Sequence, residues 1–183
     1  RMLLPLFFSS GATALVYQTL WARELHLVFG TSSFAIATVL AAFMAGLAMG
    51  GAWMAKKADT VARPLRRYGY LEIVIGCYGL LFPMIVDFIT PAYLWVWSVV
   101  QPPPLLFGVI QFLLVGTALL LPTTMMGATL PLLARFATRR LGGVGDSVGV
   151  LYGINTAGAV IGTALCGFYL LPEYGLWQTT VYT

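Results

Sequence analysis

From Leu105 to Phe136 the chain runs apolar for 32 residues, and no other feature limits the fold as tightly. As one helix this stretch would reach about 48 Å at 1.5 Å per residue, against a hydrocarbon thickness of about 30 Å. It reads as a membrane span that must tilt, kink or break, with Pro122 and Pro131 as the places to do so. Thr123 and Thr124 are placed to take up the carbonyls a proline frees. Composition agrees: of 183 residues 60% are hydrophobic and 9% charged, far below the roughly 25% charged of a soluble domain.

The other apolar runs have the same character. Span one covers about residues 2–26, with Pro5 in its first turn and Arg23, Glu24 and His26 at its outer end. It is too long for the apolar region of about 7–15 residues in a cleaved signal peptide. A turn at Gly30-Thr31-Ser32-Ser33 supplies capping hydroxyls, and span two follows over 34–55, about 33 Å long. Residues 56–67, with Lys56, Lys57, Asp59, Arg63, Arg66 and Arg67 around Pro64, form a charged loop. Span three covers 68–90 with a kink at Pro83. Residues 91–104 carry Tyr93, Trp95, Trp97 and three consecutive prolines, material suited to an outer loop at headgroup level. Span four (105–136), a glycine-containing loop (137–146) and span five (147–171) complete the series, and Pro172 ends span five. Residues 174–180 look like the interfacial approach to a sixth helix. The expected fold is a single all-α domain, a polytopic transmembrane bundle of about five spans with a truncated sixth.

With alternating spans, Arg1 and the loops at 56–67 and 135–140 share one side, and nine of the ten basic residues fall there, Arg23 being the other. The positive-inside rule makes that side, and the N-terminus, cytoplasmic, as in a bacterial inner membrane. The net charge of +4 thus reports topology and not nucleic-acid binding, which would need a basic stripe on one exposed face. Lipid and other membrane protein subunits are the expected partners.

Small residues recur at steps of four: Ala42, Gly46 and Gly50 in span two, then Gly149, Gly153 and Gly158, Gly162 in span five. Such strips let helix backbones approach closely where lipid offers no hydrophobic drive between helices. They serve either intramolecular packing or a sliding or dimer seam. Asn155, beside the strip of span five, is a candidate interhelical clamp or ligand contact; Gln18, Gln111 and Thr156 are the other deep neutral polar residues.

Transport usually places an ionisable residue near the bilayer midplane. Glu72 counts out near the inner end of span three, close to Arg66 and Arg67, and Asp87 near its outer end, so both read as able to reach water. Glu24 and Asp87 are the candidate cation contacts, as an outward-facing acidic vestibule. One histidine, no Cys/His cluster, no phosphate loop and no Ser/His/Asp pattern leave no catalytic constellation and no metal site to argue from. His26, with Trp21 nearby, is the sole candidate for ligating a pigment or haem. Cys77 and Cys166 read as packing residues. No cofactor is expected beyond bound lipid.

Four strings, in order, carry a resemblance: Phe8-Ser-Ser-Gly-Ala-Thr-Ala-Leu-Val-Tyr-Gln18 with Trp21-Ala-Arg-Glu-Leu25; Ala41 to Gly50; Leu121-Pro-Thr-Thr-Met-Met-Gly-Ala-Thr-Leu-Pro131 on to Arg135; and Leu151-Tyr-Gly-Ile-Asn-Thr-Ala-Gly158 on to Gly162. Together they resemble the membrane region of spermidine synthase-like integral membrane proteins. The resemblance implies an arrangement like half of a major-facilitator bundle. In many members an aminopropyltransferase domain follows, but its glycine-rich site and aspartates have no counterpart in this sequence, so enzymatic activity is not expected of it. The readings left are a non-catalytic scaffold or accessory subunit of a larger membrane complex, respiratory or photosynthetic; half of a polyamine or small-cation transporter; or the membrane anchor of a separate aminopropyltransferase domain.

Overall fold

The computed structural model describes residues 3–141 and 144–183, with the side chains of these except residues 3, 104, 139–141 and 144–148. The chain is all-α, with no strand among the described residues. Helix α1 (Leu3–Phe29) ends at Gly30, whose φ of 85° suits only glycine and lets its N–H bond the His26 carbonyl at 2.9 Å. Helix α2 (Ser33–Lys57) begins where the Ser32 hydroxyl accepts from the Ala35 N–H at 3.1 Å, the cap expected of this turn. A 3-10 turn, Ala58–Thr60, leads to α3 (Pro64–Trp95), which continues as a π turn over Val96–Val100. Helix α4 (Pro104–Leu141) follows, then α5 (Val144–Leu165), a second π turn (Cys166–Leu170) and α6 (Leu171–Tyr182).

Four segments among the described residues are long and apolar enough to cross a membrane: Ser33–Thr60, Pro64–Val100, Leu105–Thr138 and Gly149–Tyr182. The expected first span is helical over 27 residues but is not among these four. Its first residues lie at the edge of the described ones, and its Tyr17, Leu20, Trp21 and Leu25 are buried among the other helices.

Several boundaries depart from the sequence reading: the charged loop shortens to 58–63, and the helix runs on past Pro172, which does not end span five. The outer loop expected at 91–104 shrinks to 101–103, because α3 runs on through both Pro83 and Pro91. The turn is made by Gln101, left-handed at φ 43°, ahead of Pro102 and Pro103. Span four does not break, since Pro122 and Pro131 both lie inside one 38-residue helix. Within the loop expected at 137–146, α4 extends to Leu141 and α5 begins at Val144, while residues 142 and 143 fall outside the described residues. Residues 171–182 are themselves helical, bent at Gly175 (φ 73°), and the Thr179 hydroxyl bonds back to the Leu170 carbonyl at 3.1 Å.

The helices pack as α2 along α4, α1 along α5 and α3 against α4. Glycines make the first two pairings close. A Cβ on Gly46 would collide with the Thr123 side chain, one on Gly50 with the Thr124 carbonyl, and one on Gly127 with the Leu47 carbonyl. On the other side, Gly11 faces the Asn155 carbonyl, Gly158 the Phe8 carbonyl and Gly162 the Ala12 carbonyl. At one end of the bundle Arg135 of α4 bonds Asp59 at 2.9 Å, which ties the end of α4 to the connection between α2 and α3.

Candidate functional site

The face that α1 turns to α3 is built in layers. At its centre Trp21 stacks on Tyr17 (5.1 Å) and on Phe82 (4.8 Å), with Tyr78 edge-on at 6.1 Å. Gly79 gives the Tyr17 ring its room, since a Cβ there would lie 2.5 Å from a ring carbon. Such ring pairs contribute about 0.5–1.5 kcal/mol each beyond the area they bury. Tyr78 also donates its hydroxyl to the Ala118 carbonyl at 2.8 Å. Ala118 lies four residues before Pro122, so this is the carbonyl that the proline leaves without its helical N–H. The sequence points to Thr123 or Thr124 for that task. Thr123 instead bonds the Leu119 carbonyl of its own helix at 2.6 Å.

Towards the basic end, the Ser10 hydroxyl donates to Glu72 at 2.9 Å, one turn along α3 from the buried Tyr68. Glu72, Ser10, Thr13 and Thr129 line a cavity of about 10 Å³ between α1, α3 and α4, room for about one water. Glu72 therefore turns into the bundle and not out to water, as its place beside Arg66 and Arg67 would suggest. The signal is in the spacing. Tyr68, Ile75, Gly79, Phe82 and Val86 are the buried row of α3, and Glu72 falls in step with it at intervals of three and four.

Towards the opposite end, Glu24 of α1 and Asp87 of α3 are near enough for their charges to interact. Asp87 is exposed, whereas Glu24 is half-buried and its Oε2 meets no hydrogen-bond partner. Gln18 Oε1, Trp21 Nε1, His26 Nε2 and Gln111 Nε2 are likewise buried without a partner. The described residues contain no group of three His, Cys, Asp or Glu that could hold a metal ion. Of the cysteines, Cys166 is buried as a packing residue would be, while Cys77 faces outward.

The small-residue rows divide sharply. Ala42, Gly46 and Gly50 are buried against α4, and Gly158 and Gly162 against α1, as intramolecular packing requires. Gly149 and Gly153, expected to pack in the same way, meet nothing within 4 Å among the described residues. The cause is phase: five residues separate Gly153 from Gly158, a rotation of about 140° at 3.6 residues per turn. Asn155 sits where α1 and α5 come closest, but through its backbone carbonyl against Gly11; its carboxamide makes no interhelical hydrogen bond among the described residues. The outward row of α5 runs Gly149, Gly153, Thr156, Val160 and Ala164 and continues to Gly167 in the π turn that follows, all exposed. It borders an open apolar groove of about 550 Å³ between α1 and α5, lined by Leu15, Thr19, Thr156, Ala159, Thr163 and Phe168.

Comparison with known proteins finds no match: no family model, no characterised protein and no solved structure matches this chain.

Proposed function

We propose that this chain is a non-catalytic membrane scaffold, an accessory subunit that docks beside another integral membrane protein of a larger complex, respiratory or photosynthetic. The observation that carries this reading is the open row of α5. Small residues let a neighbouring backbone approach closely, and in membranes that close approach is the main source of helix association. The same helix uses Gly158 and Gly162 this way against α1, while Gly149 and Gly153 present the same surface outward and Gly167, in the π turn that follows, lines an apolar groove. The resemblance to the membrane region of spermidine synthase-like proteins supports a helix framework, and the positive-inside rule supports a bacterial inner membrane with the basic end cytoplasmic. Purification from native membranes in mild detergent tests it: the wild type should carry a discrete second membrane protein, and Gly153→Leu or Gly167→Leu should lose it while staying folded. A wild type that purifies folded and without a partner would overturn the proposal.

A second reading, half of a polyamine or small-cation transporter, is favoured by the approach of Glu24 to Asp87. Uptake into proteoliposomes should then fall at least about tenfold when Glu24→Gln and Asp87→Asn are combined, as the loss of about 1.4 kcal/mol or more of cation binding requires. Undiminished uptake would remove both residues from any pathway.

A further inference from the structure

The geometry points to a phospholipid site on the outer face of α3, where Arg63, Arg66 and Arg67 hold the phosphate of an anionic lipid and the exposed row beyond them carries its acyl chain. The inference rests on the membrane-spanning character of the bundle and not on the docking face of α5.

The three arginines, with Ala62 and Tyr70, line a depression of about 270 Å³ at the start of α3. No acidic side chain lines it. Of the acids nearest in sequence, Glu72 turns inward to accept from Ser10 at 2.9 Å and Asp59 pairs with Arg135 at 2.9 Å. Arg66 does not wave free: its Nη2 and Nε donate to the Tyr70 hydroxyl at 2.9 and 3.2 Å, and its guanidinium lies 5.5 Å from the centre of that ring. A planar guanidinium fixed on an aromatic face keeps donors in a fork that matches phosphate oxygens, and ordering it beforehand lowers the entropy lost on binding. Basic pockets at the cytoplasmic ends of membrane helices suit anionic headgroups for these reasons.

The second half of the ligand is matched further along the same helix. Tyr70, Ile73, Cys77, Leu81 and Met84 succeed Arg66 at steps of three and four, and all are exposed. One face of α3 thus presents a basic head and then an apolar track of about 27 Å from Arg66 to Met84, the order of charge and hydrocarbon in a phospholipid and more than the roughly 15 Å of one leaflet's acyl region. A soluble phosphate would use the head of this site and leave the track idle, so the surface fits lipid.

The test is lipid retention. The full chain is reconstituted in mixed phosphatidylcholine and phosphatidylglycerol vesicles, purified in detergent, and its carried-over lipid counted by native mass spectrometry. The wild type should retain phosphatidylglycerol over phosphatidylcholine, and R63Q/R66Q/R67Q should lose that preference at least about tenfold. K56Q/K57Q, which removes two charges outside the depression, should keep it. All of these positions are exposed, and R66Q alone, expected to lose several-fold, keeps the inference open to refutation should the triple variant fail to insert. Equal losses in the lysine and arginine variants, no preference in the wild type, or release of the lipid by millimolar inorganic phosphate would each overturn it.

Discussion

Pro122 lacks the N–H that would close its helical turn on the Ala118 carbonyl, and in lipid an unanswered carbonyl is costly because no water can replace the lost partner. Tyr78, reaching from α3, fills that place at 2.8 Å. Interhelical hydrogen bonds in membranes average about 0.6 kcal/mol, while leaving a buried carbonyl unsatisfied costs about 1–3 kcal/mol. Tyr78→Phe should therefore destabilise the bundle by about 1 kcal/mol, and by much less in a Pro122→Ala background, where the substituted residue restores the helical donor. Unfolding free energies for the four proteins of that cycle measure the coupling; an equal cost in both backgrounds would mean that Tyr78 does not act through the proline. Pro122 is visible in the sequence as a source of a free carbonyl, but its partner is not. The nearest hydroxyls along the chain, Thr123 and Thr124, are the obvious choice, and the phenol comes from 40 residues before the carbonyl it serves.

At the scale of helices, two glycine-bearing rows that look alike in sequence behave oppositely. Gly50 has a backbone carbonyl of α4 where its side chain would stand, whereas Gly153 meets nothing within 4 Å among the described residues. Gly50→Leu should cost at least about 2 kcal/mol of stability through overpacking, while Gly153→Leu should leave the melting temperature of the isolated chain nearly unchanged. Thermal unfolding in one detergent compares the two directly, and equal losses would mean that Gly153 too is packed against a neighbouring helix. Much of this level is legible. Span two, expected over 34–55, is α2 at Ser33–Lys57, and its Ala42, Gly46 and Gly50 are buried as a single strip. Other features are less so. Pro91 looks like a terminator, yet a proline inside a helix removes one hydrogen bond, here to the carbonyl of Asp87, an exposed residue, and α3 continues past it to Trp95. For Glu72 the distance from the charged loop misleads, and its angular position on α3 is the better guide.

Taken whole, the molecule is a bundle whose close seams are used internally, α2 on α4 and α1 on α5, and whose α5 keeps one small-residue face open. Composition and hydropathy make the membrane bundle legible, because bilayer thickness fixes the length of apolar helix that is needed. Which face stays open depends on how the helices pair, and neither periodicity nor charge specifies the pairing. Site-directed photo-crosslinking in native membranes tests the scaffold most directly. A photoreactive side chain at residue 153 or 167 should join the chain to one discrete second membrane protein, whereas one at residue 84, on the exposed face of α3, should give only lipid adducts. If residues 153 and 167 also yield lipid adducts alone, the open face of α5 is a lipid-facing surface and the scaffold account is wrong.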